Sequence, residues 1–312
     1  MGFVALIFAL LIEQGRPLPE NNLVHRAFVW LADSVMHATN AGEARQGVLG
    51  WAGISVLSVF AVALAAWGLD FLHPIALFCL HVFILYHTVG FRQFSHAFTE
   101  IQVALASGDV EAARAALQRW CRQDDPEFTV GDAPVPEICR RAIANALVAS
   151  HRHVFAPLFW YLLLPGPVGP VLYRVAELLA RRWTQPGEVY GDFAQTAYRV
   201  IDWLPLRLSA AGFAIVGNFE DAVYAWRGVA AADPGCDQRS LLLATGGGAL
   251  GLRIADPELE ARWASEAEQG FEPLGAEPGS DGMRSAVGLV WRSVVLWLAL
   301  FGMMTVASWL GR

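Results

Sequence analysis

Two long apolar segments constrain what this chain can fold into more than any other feature of its sequence. Residues 48–69 and 286–310 are each at least as long as the ~20 apolar residues that a helix needs to cross a bilayer. Arg292 is the only charged residue in the second segment, and it lies near enough to the start for its guanidinium to reach the membrane interface. The composition agrees, because 16% of the residues are charged, against about 25% in average soluble domains. The sequence therefore predicts an all-α, polytopic membrane protein.

Further apolar segments raise the predicted number of membrane segments to about five or six. They cover residues 1–12, 74–89, 154–172 and 198–217. The first of them is short for a span. The segment 154–172 carries Pro165, Pro167 and Pro170, which cannot continue a regular helix. We therefore expect a span with a broken end, or a re-entrant element, at that point.

The distribution of arginine predicts how these segments are oriented. Residues 70–73, between the segments 48–69 and 74–89, contain no Lys or Arg, whereas Arg45 and Arg92 flank the pair. By the positive-inside rule, the 70–73 tip lies outside and both flanks lie in the cytoplasm. We expect a multi-pass protein of a bacterial inner membrane, with the lipid bilayer as its first partner.

The chain is predicted to form a single integral membrane domain over residues 1–312, with two polar parts. Residues 91–153 are predicted to be a cytoplasmic helical insertion, and residues 218–285 a second, largely soluble helical loop. In the insertion, two helices are predicted to join at Ser107-Gly108-Asp109. Asp109 is a suitable N-cap for the second helix, because its carboxylate can accept hydrogen bonds from the first backbone N–H groups.

Several kinds of chemistry are excluded by the charged residues. The 22 basic residues are all Arg, so the chain has no Schiff-base lysine, phosphate-loop lysine or Ser–Lys dyad. The net charge of -7 and the dispersed arginines argue against a nucleic-acid partner. The four Cys have no Cys-x-x-Cys spacing and are interpreted as free thiols.

No nucleotide or metal motif is evident, so the cofactors stay unknown and no metal ligands are assigned. His151 and His153 are two residues apart in a helical sequence, where their side chains point in different directions. Hydrogen bonding between helices is the favoured role for such histidines. Gly246-Gly247-Gly248 lacks the Lys and the preceding strand of a phosphate loop, and favours a flexible turn or close helix packing.

The segment from residue 198 to 227 carries Asp202 and Arg207 on either side of Pro205. Ionisable groups at membrane depth cost roughly 2.5–3.5 kcal/mol each, so they are seldom without a role. Two interpretations are open. The pair is a catalytic or binding site, or it is an interfacial anchor in which the charges pair with each other or with Arg199.

Other charged residues on the predicted cytoplasmic side could bind an anionic substrate. The candidate substrate-binding residues are Arg152, His153, Arg199, Asp124 and Asp125. A boundary site built from arginines and carboxylates suits a phosphate- or carboxylate-bearing substrate. For the two aspartates, a solvated turn before Pro126 is the simpler alternative.

The order of the motifs resembles the CobD/CbiB family of cobalamin-biosynthesis membrane proteins. The resemblance covers roughly residues 100 to 310. The segments that carry it are EAARAALQRWCRQDD, PEICRRAIANAL, FAPLFWYLLLPGPVGPVLYRV, YGDFAQTAYRVIDWLPLRLSA, LATGGGALGLRI and SAVGLVWRSVVLWLAL. The related AmpE family, linked to β-lactamase regulation, shares the APLFW and DWLPLRL-type segments.

The resemblance implies an amide-forming ligase. In that family an aminopropanol or its phosphate is joined to adenosylcobyric acid, which gives adenosylcobinamide (phosphate). A corrinoid small molecule would then be a partner. Arg207 would hold a phosphate or carboxylate, and Asp202 would orient that arginine or the incoming amine. The alternative is a non-catalytic, AmpE-like membrane regulator.

The sequence departs from the CobD/CbiB pattern at several acidic positions. Residues 149–153 replace a Glu-Asn pair and an Asp, and residues 176–179 replace an Asn-Thr-Leu-Asp-type motif. Tyr198-Arg199 replaces a pair of aspartates, and Asp202 stands where the family has Asn. The departures predict a degenerate active site that binds a related ligand without catalysing the family reaction.

Overall fold

The all-α prediction is confirmed by the computed structural model. It describes residues 2–16, 18, 22–184, 189–232, 237–255, 260–261 and 275–311. Within these ranges the secondary structure is helical, apart from an isolated parallel bridge between Leu252 and Ala276. The second predicted loop is described only in part, since residues 233–236, 256–259 and 262–274 lie outside the described ranges.

The chain folds as two units. The first comprises Met1–Gln93 and His153–Pro205, and the second comprises Phe94–Arg152 and Leu206–Arg312. The helices are α1 (Gly2–Gly15), α2 (Leu23–Thr39), α3 (Ala44–Leu72), α4 (Pro74–Thr88), α5 (Phe91–Ala106), α6 (Val110–Cys121), α7 (Val135–Ser150), α8 (Ala156–Leu163), α9 (Val168–Trp183), α10 (Asp192–Val216), α11 (Phe219–Ala232), α12 (Gln238–Leu250) and α13 (Ser280–Leu310). A π-helical turn (His151–Phe155) joins α7 to α8, and a 3-10 turn (Val189–Gly191) precedes α10.

Among the residues that the structure describes, two helices are long and apolar enough to cross a membrane. These are α3 with 29 residues and α13 with 31 residues, and only 22% and 17% of their most apolar windows are buried within the protein. Their large apolar side chains are therefore mostly exposed, unlike those of a core helix in a soluble protein. The helices α1 and α4 are apolar but contain 14 and 15 residues, which gives lengths of only about 21–23 Å.

The predicted membrane segment at residues 154–172 is not a single helix. Its first helix, α8, contains eight residues and ends at Leu163, and α9 begins at Val168. Gly166, between Pro165 and Pro167, has a φ of 68°, which a residue with a side chain seldom adopts. The predicted break is therefore confirmed, but α8 is too short to cross a bilayer. Of the five or six predicted segments, length and composition support two.

The first unit packs around two large side chains, one in the last turn of α9 and one in the 3-10 turn that precedes α10. Trp183 and Tyr190 are fully buried, with their ring centroids 5.0 Å apart. The helix α3 reaches them through Gly50, where an added Cβ would lie 2.5 Å from the Tyr190 hydroxyl. The indole N–H of Trp183 donates to the Ala32 carbonyl at 3.1 Å. These contacts hold α2 and α3 against the end of α9.

In the second unit, the predicted helical hairpin is confirmed. The helix α5 ends at Ala106 and α6 begins at Val110. The Asp109 side chain accepts a hydrogen bond from the Ala112 N–H at 2.9 Å, as expected for an N-cap. Among the cysteines in the described ranges, Cys79, Cys121 and Cys139 are free thiols.

Charged residues of the PEICRRAIANAL motif form ion pairs near the start of α7. Both Glu137 carboxylate oxygens accept hydrogen bonds from Arg140 at 2.6 Å. These bonds hold the pKa of Glu137 below its ordinary value. A further N–H of Arg140 donates to the Ala255 carbonyl at 3.0 Å, so the chain beyond α12 is held against α7. The motif therefore has a structural role in this unit.

The triple glycine lies inside α12 and allows close helix packing. An added Cβ at Gly248 would lie 2.5 Å from the Asp221 carbonyl oxygen of α11, and one at Gly246 would lie 2.6 Å from Leu147 of α7. The close-packing interpretation is thus confirmed. The helix ends at Gly251, with a φ of 66°, and the Leu252 N–H bonds the Gly247 carbonyl at 2.9 Å in a Schellman arrangement.

We expect Gly248→Ala to lower the free energy of unfolding by about 1–3 kcal/mol, because its Cβ would force the α11 backbone away. Gly288→Ala is the matched control, since no atom lies within 4 Å of its added Cβ. Thermal unfolding of both variants in detergent micelles would measure the difference. Equal midpoints for the two variants would contradict close packing at Gly248.

Candidate functional site

Asp202 lies in the middle of α10 and is buried, with 5% of its surface exposed. The Tyr173 hydroxyl of α9 donates to its Oδ1 at 3.1 Å and also lies 3.1 Å from the Tyr198 hydroxyl. Burial, with Tyr198 and Asp202 nearby, raises the pKa of Tyr173 well above its ordinary value. The phenol therefore stays protonated and can donate to the carboxylate. We call these three residues the tyrosine–aspartate cluster.

Arg207 follows Asp202 on the same helix and is partly buried. Five residues of helix correspond to a rotation of roughly 140° about the axis, so the two side chains leave α10 in different directions. Pro205, between them, cannot donate to the Ile201 carbonyl. The observed donor to Asp202 is thus Tyr173 of α9, and the roles predicted for Asp202 and Arg207 remain predictions.

A second buried carboxylate lies one helical turn beyond Tyr173. Glu177 is 4% exposed, and its oxygens lie 2.6 Å from Arg174 and 3.5 Å from Arg181. Sequence reasoning treated this residue only as part of a missing family motif. The spacing of Arg174, Glu177 and Arg181 by three and four residues on an amphipathic helix is the signal that would have identified it.

The two histidines at residues 151 and 153 have separate partners. His151 is buried and its Nδ1 lies 2.9 Å from the Ser209 hydroxyl in the second unit. His153 belongs to the first unit, where its Nδ1 lies 3.2 Å from Arg174. Both therefore make the hydrogen bonds expected from the sequence.

The π-helical turn that carries these histidines has a local cause. Pro157 has no N–H, so it cannot bond the carbonyl of His153 four residues earlier. The Gly90 N–H donates to that carbonyl instead, at 3.0 Å. Single π-helical turns of this kind are frequent at functional sites. The turn also changes the directions in which residues 151–153 point.

Two predicted substrate-binding residues meet in the second unit. Arg152 bonds Asp124 at 3.0 Å, and the two side chains are 21% and 37% exposed. Arg239 of α12 lies close enough for its charge to interact with both. Although Arg239 keeps an exposed surface, the surrounding protein and the charge of Arg152 lower its pKa. Arg152, Asp124 and Arg239 form what we call the arginine–aspartate cluster.

The other two predicted residues, Asp125 and Arg199, are exposed. The Asp125 carboxylate accepts a hydrogen bond from the Glu127 N–H at 3.1 Å, which confirms the turn before Pro126 for this residue. Arg199 is exposed on α10. Of the predicted substrate-binding residues, Arg152 and Asp124 are seen to bind each other.

The two clusters differ in chemistry. In the first unit the buried carboxylates of Asp202 and Glu177 both lie near Tyr173, and such groups can orient or accept a proton from an amine. In the second unit, the guanidiniums of Arg152 and Arg239 lie near the Asp124 carboxylate, and arginines of this kind can bind a phosphate or carboxylate ligand.

Comparison with known proteins identifies the family. The model of the CobD/Cbib protein family matches residues 4–290, a range that contains both clusters. The chain belongs to the CobD/CbiB family.

Relatives in the CobD/CbiB family match along most of the chain. The cobalamin biosynthesis protein CobD of Chromobacterium violaceum is 31% identical over 262 residues, covering 82% of this chain and 80% of that protein. The protein of the same name from Stutzerimonas stutzeri is 30% identical over 318 residues, covering 96% and 97%.

AmpE of Shigella flexneri is 32% identical over 93 residues, but these cover only 28% of this chain and 32% of AmpE. No solved structure matches the chain.

We expect Tyr173→Phe to destabilise the protein by about 1–3 kcal/mol, since Asp202 would stay buried without its tyrosine donor. Tyr224→Phe is the control, because that tyrosine is 41% exposed. Thermal unfolding of the detergent-solubilised variants measures both effects. If Tyr173→Phe melted like the unchanged protein, the Tyr173–Asp202 bond would make no net contribution to stability.

Proposed function

We propose that this protein acts in cobalamin biosynthesis as a multi-pass protein of the bacterial inner membrane. Its reaction forms an amide bond between the amine of an aminopropanol, or of its phosphate, and a carboxyl group of adenosylcobyric acid, with the net loss of one water. The product is adenosylcobinamide or its phosphate. The observation that carries this proposal is the family match over residues 4–290, with relatives named cobalamin biosynthesis protein CobD along most of the chain.

The tyrosine–aspartate cluster supports a role in handling the amine. An amine attacks a carboxyl group only after it has lost its extra proton, so the reaction needs an acceptor close to the nitrogen. Asp202 is buried and oriented by the Tyr173 hydroxyl. In this proposal, Asp202 orients the incoming amine, and Arg207 holds a phosphate or carboxylate of a substrate.

The arginine–aspartate cluster supports binding of an anionic group. The Arg152 side chain is mostly buried, with 21% of its surface exposed, and its guanidinium lies 3.0 Å from the Asp124 carboxylate. A planar guanidinium can bond a phosphate or carboxylate through two parallel N–H groups. Arg152, Asp124, His153, Arg199 and Asp125 are kept as the proposed substrate-binding residues.

The membrane placement is supported by the outward-facing apolar side chains of α3 and α13. On α3, Val56, Phe60 and Trp67 are each more than 60% exposed, and on α13 so are Met303 and Trp309. Exposed apolar side chains along a whole helix are unfavourable in water and favourable in lipid. We propose that α3 and α13 span the membrane, with α1 and α4 as shorter apolar segments and residues 91–153 in the cytoplasm.

Growth on defined precursors tests the proposed reaction. A strain without this gene, and without a second copy, should fail in cobalamin-dependent growth on cobyric acid and recover on cobinamide. Normal growth on cobyric acid would exclude the enzyme. A change in β-lactamase induction in such a strain would favour the AmpE-like alternative instead.

Variants of the gene extend this test to the site. Arg152→Gln and Arg207→Gln should restore growth on cobyric acid poorly, although they are present in the membrane at normal levels. Arg119→Gln is the control, since that arginine is 68% exposed and pairs with Glu100 on the surface of the second unit. Equal growth with all three variants would remove Arg152 and Arg207 from the site.

Cysteine labelling tests the orientation. In a protein without its native cysteines, Asp70→Cys should react with a membrane-impermeant maleimide applied to intact spheroplasts, because the arginine distribution places that tip outside. Arg119→Cys should react only after permeabilisation. Labelling of position 70 only from the cytoplasmic side would reverse the proposed topology.

A further inference from the structure

The helices α8 and α9 form a hairpin whose two arms pack against each other. Gly169, the second residue of α9, lies so close to α8 that an added Cβ would be 2.0 Å from the Trp160 carbonyl oxygen. Pro165 and Pro167, in the turn between the arms, have no N–H groups. The turn therefore has two fewer backbone donors that need a hydrogen-bond partner.

The first arm of the hairpin begins beside the end of α4. The Gly90 N–H, just beyond α4, donates to the His153 carbonyl at 3.0 Å, and α8 begins soon afterwards at Ala156. Towards the other end of α8, the Tyr161 hydroxyl lies 2.7 Å from Nδ1 of His81, which is the middle residue of α4. The first arm therefore runs from the end of α4 back towards its middle.

The turn of the hairpin lies level with the middle of α4. An added Cβ at Gly166 would lie 3.9 Å from the His81 imidazole. From His81 to Thr88, the last residue of α4, the helix rises by about 10 Å. The chain thus reverses direction roughly halfway along α4, before it reaches the other end of that helix at Pro74.

The second arm returns to the side from which the first arm started. Val171, early in α9, belongs to the same buried core as Ile84 of α4. Trp183, in the last turn of α9, lies beside Gly50 near the start of α3, where an added Cβ would be 3.3 Å from the indole. Because α3 and α4 pack together and are joined by the single residue His73, the start of α3 and the end of α4 lie on the same side. Both ends of the hairpin are therefore on that side.

The exposed side chains of the hairpin change character along its length. Leu163, beside the turn, is 58% exposed. At the end of α9 the exposed side chains are those of Arg181, Arg182 and Thr184. A segment that crossed a bilayer would carry polar side chains at both ends and apolar ones between them. The observed order, apolar at the turn and polar at the end of the returning arm, fits a turn in lipid and an end in water.

We propose that residues 156–183 form a re-entrant hairpin, whose tip at residues 163–166 contacts lipid acyl chains and whose two ends meet water on the side of Ala44. Irregular backbone at membrane depth is tolerated where protein covers it, and His81 lies against this turn. By the arginine distribution, that side is the cytoplasm. One consequence rests on the proposed function: a substrate of the tyrosine–aspartate cluster enters from the cytoplasm, because the returning arm carries Tyr173.

The sidedness of single cysteines tests the hairpin without any substrate. In a protein without its native cysteines, Arg45→Cys marks the start of α3 and Asp70→Cys marks the opposite side, and both positions are exposed. Thr184→Cys should react with a membrane-impermeant maleimide only under the conditions that label Arg45→Cys. If Thr184→Cys is labelled together with Asp70→Cys instead, the segment crosses the membrane completely and the hairpin is overturned.

A spin label measures the depth of the tip. In nanodiscs, a label on Leu163→Cys should collide with oxygen severalfold more often, relative to a water-soluble nickel complex, than a label on Thr184→Cys, because oxygen dissolves in lipid and the complex does not. Val103→Cys is the matched control, since Val103 is an apolar residue of α5 that is 63% exposed, and its ratio should equal that of Thr184→Cys. Equal ratios at positions 163 and 184 would place the tip in water and contradict the proposal.

The growth test separates this inference from the proposed reaction. Normal growth on cobyric acid without the gene, together with Thr184→Cys on the side of Arg45→Cys and a lipid-exposed label at position 163, would exclude the enzyme and leave the hairpin. Failed growth on cobyric acid, together with Thr184→Cys on the side of Asp70→Cys, would overturn the hairpin and leave the enzyme.

Discussion

The pairing of buried charge along α9 is the interaction on which the first unit depends. This helix packs against α2, α3, α4 and α8, and it carries Tyr173, Arg174 and Glu177 into the interior. An ionised carboxylate in such a place is stable only when nearby donors replace the water it has lost. Glu177 accepts a hydrogen bond from Arg174 and lies 3.5 Å from the Arg181 guanidinium, and Asp202 accepts a hydrogen bond from Tyr173. Removing one partner would leave a buried charge, which is more damaging than losing an exposed ion pair.

Local sequence signals predicted the features that depend on neighbouring residues. The Asp109 N-cap and the helix break at Pro165 each follow from residues within a few positions in the chain. For the three glycines of α12 the sequence favoured a flexible turn or close helix packing over phosphate binding, and the structure shows close packing.

The candidate site was harder to predict from the sequence, because its hydrogen bonds join residues that are far apart in the chain. Tyr173 and Asp202 are on different helices, so no local pattern indicates that they meet. Length and composition support two of the predicted membrane segments, α3 and α13. At residues 154–172 the prolines correctly predicted a break, which divides the segment into α8 and α9.

The buried Glu177 changes how one departure from the family pattern, at residues 176–179, is interpreted. Residues 176–179 lack the Asn-Thr-Leu-Asp-type motif, and by sequence this loss favoured a non-catalytic protein. In the structure, however, that stretch contributes a buried carboxylate one helical turn from Tyr173, which itself bonds Asp202. Two carboxylates, one tyrosine donor and two arginines are therefore gathered in a single unit despite the missing motif. The departure at residues 176–179 therefore does not leave this unit without a buried carboxylate near Tyr173.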